Sequence, residues 1–373
     1  MRMRLGSRPR LTRAAQLVVT TAFVTSSLLV ATDAPGVSAS HLTHPVPSAR
    51  STSWSRVTPA TKATGYDFSS PDAVVSVGGL VWVVNPTNGS VTELSASSDK
   101  LVRVVRGKQY HFDYPDGIAV DRSHVWVSNL YGYSVTEFSR ATGALTRFIK
   151  GSRYGLTLPT SIASDGTHVW VASGSGDSVT ELAASTGTLL RVLATPHYGF
   201  SHPAALAIAG AHLWVANSYG ASVTEVNAST GRLIRVVTGP RFGFSYPAAV
   251  VARGQSVWIA SSSFRSTLTE LMNTTGALVR VVRGSRLALS YSVSITSDGQ
   301  HLWIASTGNA GSVTELVAAT GALVKVIKGM AYGFSLPGSV SSDGTDVWVA
   351  NHAANSVTEL SAQTGRLVRI LKN

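Results

Sequence analysis

Acidic side chains recur through the sequence at a spacing that could support acid–base chemistry. One glutamate lies in each of seven successive repeats: Glu93, Glu137, Glu181, Glu225, Glu270, Glu315 and Glu359. A basic residue follows each of them: Arg103, Arg147, Arg191, Arg235, Arg280, Lys325 and Arg369. The glutamates could form a catalytic ring, or each could pair with its base across adjacent strands. Seven identical copies favour the ion pairs, because acid–base catalysis needs carboxyl groups in contrasting environments.

Histidine is the second residue type that could do chemistry. Four histidines each precede a tryptophan by two residues: His124, His168, His212 and His301. Their recurrence at one repeat position indicates a role in a turn rather than in a metal site. The sequence also contains no Gly-x-Ser-x-Gly elbow, phosphate-binding loop or His-Glu-x-x-His motif. We therefore predict no catalytic residue, no metal ligand and no cofactor.

The elements that position these residues follow from the tryptophan spacing. Seven tryptophans are separated by 44, 44, 44, 44, 45 and 45 residues: Trp82, Trp126, Trp170, Trp214, Trp258, Trp303 and Trp348. A period of this length, built from short β-rich runs, is typical of β-propeller blades. The sequence therefore predicts an all-β fold, a seven-bladed β-propeller, with each tryptophan packed between blades.

Each repeat divides into four short apolar runs separated by turn residues. In the second repeat these runs are 117–120, 125–128, 135–138 and 145–149, which predict four antiparallel strands per blade. By analogy with known propellers, the first strand lines the central channel. The seven predicted channel segments, from 74–76 to 340–342, contain no carboxylate, histidine or lysine.

The repeat frame also predicts how the ring closes. The first repeat begins with a first strand and the last repeat ends with a fourth strand, so no spare strand completes a mixed blade. We expect blades one and seven to close by packing face to face. The alternative is an edge strand supplied by residues 52–58.

Two sets of loops are expected to share one face of the propeller. They connect strands two and three of a blade, and strand four with the next blade. Variation concentrates in the first set, where two insertions produce the 45-residue steps, and loops on a rigid scaffold commonly bind ligands. The predicted ligand-binding residues are Tyr131, Tyr133, Tyr219, Phe264, Arg265 and His352. The aromatic residues that repeat in the second set either bind ligand or pack beneath the loops.

The N-terminus predicts secretion. Five arginines within residues 1–13 precede a moderately apolar stretch, and Val37-Ser38-Ala39 fits a signal-peptide cleavage site. The expected organisation is a signal peptide at 1–39, a Ser/Thr/Pro-rich tether at 40–65 and the propeller at 66–373. An uncleaved membrane anchor is the alternative, but we expect no stable membrane span after cleavage. The predicted location is extracellular or in the cell envelope.

Composition restricts the partners. The chain has no cysteine, so its stability does not depend on disulfides. Its formal net charge is +12, and removal of residues 1–39 leaves 26 basic and 18 acidic residues, or +8. Such a charge favours anionic surfaces. The expected partner is a polysaccharide, an anionic polymer or a protein; no nucleic acid is expected, and the protein is predicted to be a monomer.

The repeated sequence motifs resemble those of a known group of propellers. The phrases Trp-Val-Ala-Asn, Ser-Val-Thr-Glu-Leu, Thr-Gly-x-Leu-Val-Arg-Val-Ile and Pro-x-x-Ile-Ala-x-Asp-Gly are similar to YVTN-type and NHL-type propeller repeats. This resemblance covers 66–373. The wider group includes streptogramin lyases, which use a histidine and a glutamate with bound magnesium, and lactonase-like enzymes, which ligate a metal around the channel. No histidine here matches the lyase motif.

Two functions follow as hypotheses. The first is a secreted propeller that acts as a binding or interaction module. The alternative is a metal-dependent lyase-like or lactonase-like propeller enzyme. The absence of recognisable catalytic motifs favours the binding module.

Overall fold

The computed structural model describes residues 65–194, 196–308 and 310–373. These form seven sheets of four antiparallel strands, and the strand order within every sheet follows the chain. The predicted seven-bladed, all-β propeller is therefore confirmed. The predicted signal peptide, the tether up to residue 64 and the alternative edge strand at 52–58 lie outside the described residues. Within those residues, no helix has the length and apolarity needed to cross a membrane.

The first four blades contain the following strands. Blade one comprises β1 Ala73–Val77, β2 Leu80–Asn85, β3 Ser90–Ser95 and β4 Leu101–Arg106. Blade two comprises β5 Pro115–Val120, β6 His124–Asn129, β7 Ser134–Ser139 and β8 Leu145–Lys150. Blade three comprises β9 Pro159–Ser164, β10 His168–Ser173, β11 Ser178–Ala183 and β12 Leu189–Leu193. Blade four comprises β13 Pro203–Ala209, β14 His212–Asn217, β15 Ser222–Asn227 and β16 Leu233–Thr238.

The last three blades repeat this arrangement. Blade five comprises β17 Pro247–Arg253, β18 Ser256–Ser261, β19 Leu268–Met272 and β20 Leu278–Val282. Blade six comprises β21 Ser292–Ser297, β22 His301–Ser306, β23 Ser312–Val317 and β24 Leu323–Lys328. Blade seven comprises β25 Pro337–Ser342, β26 Asp346–Asn351, β27 Ser356–Ser361 and β28 Leu367–Lys372. Short 3₁₀ helices lie between blades at Lys108–Tyr110, Ser152–Tyr154, Pro196–Tyr198, Pro240–Phe242, Ser285–Leu287 and Met330–Tyr332.

The tryptophans hold neighbouring blades together, as predicted. Trp214 is fully buried and packs with Val250, Val257 and Ile259 of the next blade. The same arrangement recurs around the ring, because the apolar face of each sheet is covered by the following one. Burying a large apolar side chain stabilises the fold by roughly 1.5–3 kcal/mol, so these contacts are a principal source of stability.

The ring closes by packing blade seven against blade one. No strand is exchanged between these sheets, since each consists of four consecutive strands. The inner strands instead meet through polar contacts: the Val74 amide donates to Ser339 Oγ at 3.3 Å, and the Ser76 amide donates to Ser341 Oγ at 2.9 Å. Phe68, Trp348 and Leu371 join one buried cluster across the same interface. The predicted face-to-face closure is thus confirmed for the described residues.

The prediction that the channel strands carry no carboxylate is wrong. Strand β5 begins at Pro115, before the expected start at Gly117, and it includes the fully buried Asp116. The pairing of β5 with β6 shifts register between Pro115 and Gly117. Such a bulge inserts an extra residue and redirects its side chain. The corresponding residue of blade one, Asp72, directly precedes β1 and is also buried.

Candidate binding face and channel mouth

The two predicted sets of loops do meet on one face, which we call the upper face. In blades two to seven, the residue that follows the second strand donates its amide hydrogen to the carbonyl of the residue that precedes the first strand. Blade one differs, because the residue after its second strand is Pro86, which has no amide hydrogen. Leu130 donates to Tyr114 at 2.9 Å, and Ser262 donates to Tyr246 at 2.8 Å. These bonds recur from blade to blade, so the two sets of loops are joined in the same way at successive positions of the upper face.

An unusual backbone conformation places side chains at the inner part of this face. One residue per blade has a positive φ of 48–52°, directly before the first strand in blades two to seven and two residues before Asp72 in blade one: Ser70, Tyr114, Leu158, His202, Tyr246, Tyr291 and Leu336. None is glycine, so each conformation is unfavourable, by about 1–3 kcal/mol, and must be held by the surrounding contacts. Tyr246 and Tyr291 remain 55% and 47% exposed, so the loops present aromatic rings to solvent.

The repeated aromatic residues have a structural role. Tyr110 stacks on Phe112 with ring centroids 5.6 Å apart, and Phe242 stacks on Phe244 at the same distance. The Tyr110 hydroxyl donates to the carbonyl of Gly143 at 2.7 Å. These rings therefore pack beneath the loops, which is the structural alternative expected from the sequence.

The structure separates the six predicted binding residues into different neighbourhoods. Tyr131 packs against Tyr114, with ring centroids 4.8 Å apart. Tyr219 stacks on His202 at 4.4 Å and meets Tyr246 edge-on at 6.4 Å. The predicted binding residues include Tyr131 and Tyr219 but not Tyr246, which belongs to the set of loop aromatics whose role the sequence left open between ligand binding and packing.

The remaining predicted residues lie on other parts of the upper face. Tyr133 is 46% exposed in blade two. Phe264 and Arg265 are neighbours in the inserted loop of blade five, where Phe264 is 67% exposed. His352 lies in blade seven with its Nδ1 atom 3.4 Å from Asp72 Oδ1. The six residues therefore share the upper face without forming a single cluster.

A groove of about 770 Å³ runs beside the inserted loop of blade five. Its walls combine an aromatic ring, two guanidinium groups and several hydroxyls: Phe264, Arg265, Ser266, Thr267, Arg283, Ser285, Leu289 and Ser290. Phe264, Arg265 and Arg283 are exposed. An apolar ring beside arginine and serine suits a ligand that has a flat apolar face and anionic or hydroxyl groups.

The repeated glutamates form the predicted ion pairs. In every blade the carboxylate lies 2.5–3.2 Å from the basic residue of the next strand. The glutamates are buried, whereas the bases are partly exposed, so these pairs differ from ordinary surface pairs. Burial raises the pKa of Glu93 to about 7, and the neighbouring arginines oppose that shift. Burial, together with the charges of Asp99 and Asp346, raises the pKa of Glu359 to about 7, and Arg369 opposes it.

The four repeated histidines join the same networks. His212 Nδ1 lies 2.5 Å from Glu225 Oε1, and His124 Nε2 lies 3.6 Å from Glu137 Oε1. Each histidine begins a second strand directly opposite the end of the third strand, which brings its ring to the glutamate. The interpretation as a structural position is supported, and its partner is the glutamate rather than the turn alone.

A different group of polar side chains lies where the first strands meet the upper face. We call Asp72, Asp116, Tyr114 and His352 the channel mouth. Burial raises the pKa of Asp116 well above its usual range, and the charge of Asp72 raises it further. Burial likewise raises the pKa of Asp72, with His352 opposing. Burial followed by the charges of Asp72 and Asp116 raises the pKa of Tyr114 to about 12.

Comparison of the repeats could have found this group. Pro71-Asp72 and Pro115-Asp116 occupy the same position in repeats one and two. The other five repeats have Thr160, Ala204, Ala248, Val293 and Gly338 there. Two acids at a position that is elsewhere uncharged are a departure from the repeat, and departures of this kind point to function rather than to the scaffold.

The metal implied by the lyase-like and lactonase-like resemblance can be tested against these residues. In the described part of the chain, no three histidine, aspartate or glutamate side chains converge to hold a metal ion. Asp72 and Asp116 provide oxygen donors of the type that hard cations prefer. A fully protein-ligated metal therefore does not fit the channel mouth; a cation there would need water or backbone oxygens as its further ligands.

Fold and site together define a seven-bladed β-propeller with a loop-rich upper face. No family model matches the sequence, and no curated protein matches it either. Among solved structures, hydrazine synthase of Kuenenia stuttgartiensis is 17% identical with a TM-score of 0.65, covering 81% of this chain and 98% of that one. Streptogramin B lyase is 16% identical with a TM-score of 0.63, covering 78% and 92%.

A third similar structure is the WD40 propeller domain of Doa1. It is 14% identical with a TM-score of 0.61, and the alignment covers 78% of this chain and 92% of that domain. At such low identities these similarities establish the propeller scaffold alone, because this scaffold hosts many unrelated functions.

Proposed function

We propose that this chain is a secreted binding module of the YVTN/NHL type, which captures an anionic polysaccharide of the cell envelope on its upper face. The observation that carries the proposal is the groove of about 770 Å³ in which exposed Phe264 lies beside Arg265 and Arg283. The groove lies between blades five and six, so a long ligand can continue from it across adjacent loops.

The composition of the groove supports a carbohydrate ligand with acidic groups. A sugar ring presents a flat face of C–H groups that stacks on an aromatic side chain such as Phe264. Arginine binds carboxylate, phosphate or sulfate through two parallel hydrogen bonds, which supplies both charge and orientation. The serine hydroxyls at 285 and 290 can exchange hydrogen bonds with sugar hydroxyls.

Aromatic residues outside the groove extend this surface. Tyr219 is 68% exposed and lies between His202 and Tyr246, which fix its ring by stacking and edge contact. Fixed aromatic side chains bind with a small entropic cost. A polymer that spans blades four to six would contact both this aromatic set and the groove. A short ligand would occupy the groove alone.

The alternative is a metal-dependent lyase-like or lactonase-like enzyme. Its best candidate centre is the channel mouth, where an Asp72–His352 contact resembles an acid–base pair. Asp116 is 0% exposed and Asp72 only 5%, so a substrate cannot touch either carboxylate without rearrangement. This burial favours the binding module over the enzyme.

Binding measured with matched variants tests the proposal. The purified protein is titrated with acidic and neutral polysaccharides at low and high salt, using calorimetry or affinity electrophoresis. Phe264→Ala and Arg265→Ala are compared with Arg122→Ala. Arg122 is an exposed arginine in the turn between β5 and β6, on the opposite face. This control removes the same charge without touching the upper face.

The proposal expects selective binding of one acidic glycan that survives high salt and is weakened in the two groove variants. Equal weakening by Arg122→Ala would indicate attraction by net charge alone, which salt screens. Binding that none of the three substitutions alters would contradict the groove. Absence of glycan binding, together with capture of one specific protein, would replace the polysaccharide by a protein partner.

A further inference from the structure

We propose that Asp72 and Asp116 bind one hard divalent cation, of the calcium type, at the channel mouth. The two carboxylates come from equivalent positions of neighbouring blades. The proposal is independent of polysaccharide binding in the groove, which lies between blades five and six.

Asp116 is the residue that most requires a partner. Its side chain is 0% exposed, and neither carboxylate oxygen accepts a hydrogen bond from any residue that the structure describes. Buried carboxylates in folded proteins are nearly always hydrogen-bonded, paired with a base or bound to a metal, because removal from water is otherwise too costly. Asp72 lies close enough for its charge to act on Asp116, so the neighbouring carboxylate adds repulsion.

The surroundings offer little positive charge to compensate the pair. His352 contacts Asp72 Oδ1 at 3.4 Å, and Asp72 is the cause that raises the pKa of this imidazole. Among the described residues, no basic side chain lowers the pKa of Asp116. A cation shared by both carboxylates would neutralise the repulsion and provide partners for the oxygens of Asp116.

The space at this position is also specific to these blades. A methyl group added to Gly338 would lie 2.6 Å from Asp72 Oδ1 and 3.0 Å from the Asp72 carbonyl oxygen. Glycine in blade seven therefore makes room for the carboxylate of blade one. In blade three the equivalent Thr160 instead donates its hydroxyl to the carbonyl of Pro203 at 2.7 Å, and it leaves no unpartnered oxygen.

The chemistry of the donors favours calcium. Calcium binds six to eight oxygen ligands in flexible geometry, including carboxylates, backbone carbonyls and water. Zinc and copper prefer nitrogen or sulfur ligands, and the chain contains no cysteine. Magnesium requires a nearly ideal octahedron and keeps several waters, which two buried carboxylates are less able to accommodate.

The experiment uses the full-length protein after dialysis against a chelator. Thermal unfolding is recorded with and without added Ca²⁺, and Tb³⁺ serves as a luminescent substitute for Ca²⁺ that the nearby Tyr114 and Tyr131 can sensitise. The variants are Asp116→Asn, which removes one carboxylate, and Gly338→Ala, which displaces Asp72 and removes no charge. Asp113→Asn is the control, since Asp113 is an exposed carboxylate on the same face.

We expect Ca²⁺ to raise the unfolding midpoint of the wild-type protein and of Asp113→Asn, but not of Asp116→Asn or Gly338→Ala. Tb³⁺ emission should saturate at one ion per chain and decline when Ca²⁺ is added. A wild-type protein that shows neither response overturns the proposal. A Ca²⁺ response that persists in Asp116→Asn overturns it too. Increased stability of Asp116→Asn, with no Ca²⁺ response in the wild type, would mean that Asp72 and Asp116 hold a proton in place of a cation and would overturn the proposal.

Discussion

Arg369, in the last strand of the propeller, forms an ion pair with Asp99 in the turn between β3 and β4 of the first blade. In the other six blades, the equivalent base donates to a backbone carbonyl of the following blade. Asp99 stands where the other repeats have glycine, and it keeps the positive φ, here 54°, of that position. The repeat therefore changes at the seam, where a charged pair reinforces the closure.

Removing this pair should weaken the closed ring. Asp99→Asn retains a residue type that tolerates a positive φ but loses the charge that Arg369 contacts. Because Asp99 is buried and Arg369 is about half exposed, we expect a loss of about 1–3 kcal/mol in the free energy of unfolding. Urea denaturation measures this loss. Asp113→Asn provides the matched control, and equal stability of both variants would show that the seam pair contributes nothing.

A second prediction concerns the hydrogen bond that links Trp214 to the next blade. The Trp214 indole Nε1 donates to Asn273 Oδ1 at 2.8 Å in a buried position. Asn273→Ala leaves the indole N–H without this acceptor and should cost about 1–3 kcal/mol. The unfolding free energy of Asn273→Ala can be compared with that of Asn88→Ala, whose side chain is exposed. A smaller loss at position 273 than at position 88 would contradict the prediction.

The sequence predicted the scaffold well for a physical reason. Each blade must bury one tryptophan and place strands of fixed length around an axis, so the 44-residue period carries the architecture. The binding residues were less predictable. Tyr219 and Tyr246 lie far apart in the chain and meet only because the loops of blades four and five share the upper face. Asp116 was not predicted because its strand begins earlier than expected, at a bulge, and a bulge leaves no simple pattern in the sequence.

The buried glutamates predict a dependence of stability on pH. Burial raises the pKa of Glu93 to about 7, above its usual value of 4.5, so the folded protein holds a proton that the unfolded chain releases in this interval. The contribution of Glu93 to stability is therefore complete below its pKa in the unfolded chain, and it is lost as pH rises from about 4.5 through 7. Denaturant titrations from pH 5 to pH 8 should show this decline.

Glu93→Gln provides the test of that assignment. Glutamine has the same shape and does not titrate, so the decline between pH 5 and pH 8 should become shallower in this variant. Glu359, whose pKa burial also raises to about 7, supplies a second such position. An identical pH profile in wild type and Glu93→Gln would show that the Arg103 ion pair keeps Glu93 charged throughout, in contradiction of the prediction.

The last prediction separates the roles of two adjacent groove residues. Phe264 offers an apolar ring, so Phe264→Ala should weaken glycan binding about tenfold or more at every salt concentration, a loss of roughly 1.4 kcal/mol or more. Arg265 acts through charge and hydrogen bonds, so Arg265→Gln should weaken binding mainly at low salt, where charges are poorly screened. Titration of both variants at two ionic strengths measures the difference. If the two variants show the same salt dependence, then Phe264 and Arg265 do not contact the ligand in these distinct ways, and the groove would have to bind it through other residues.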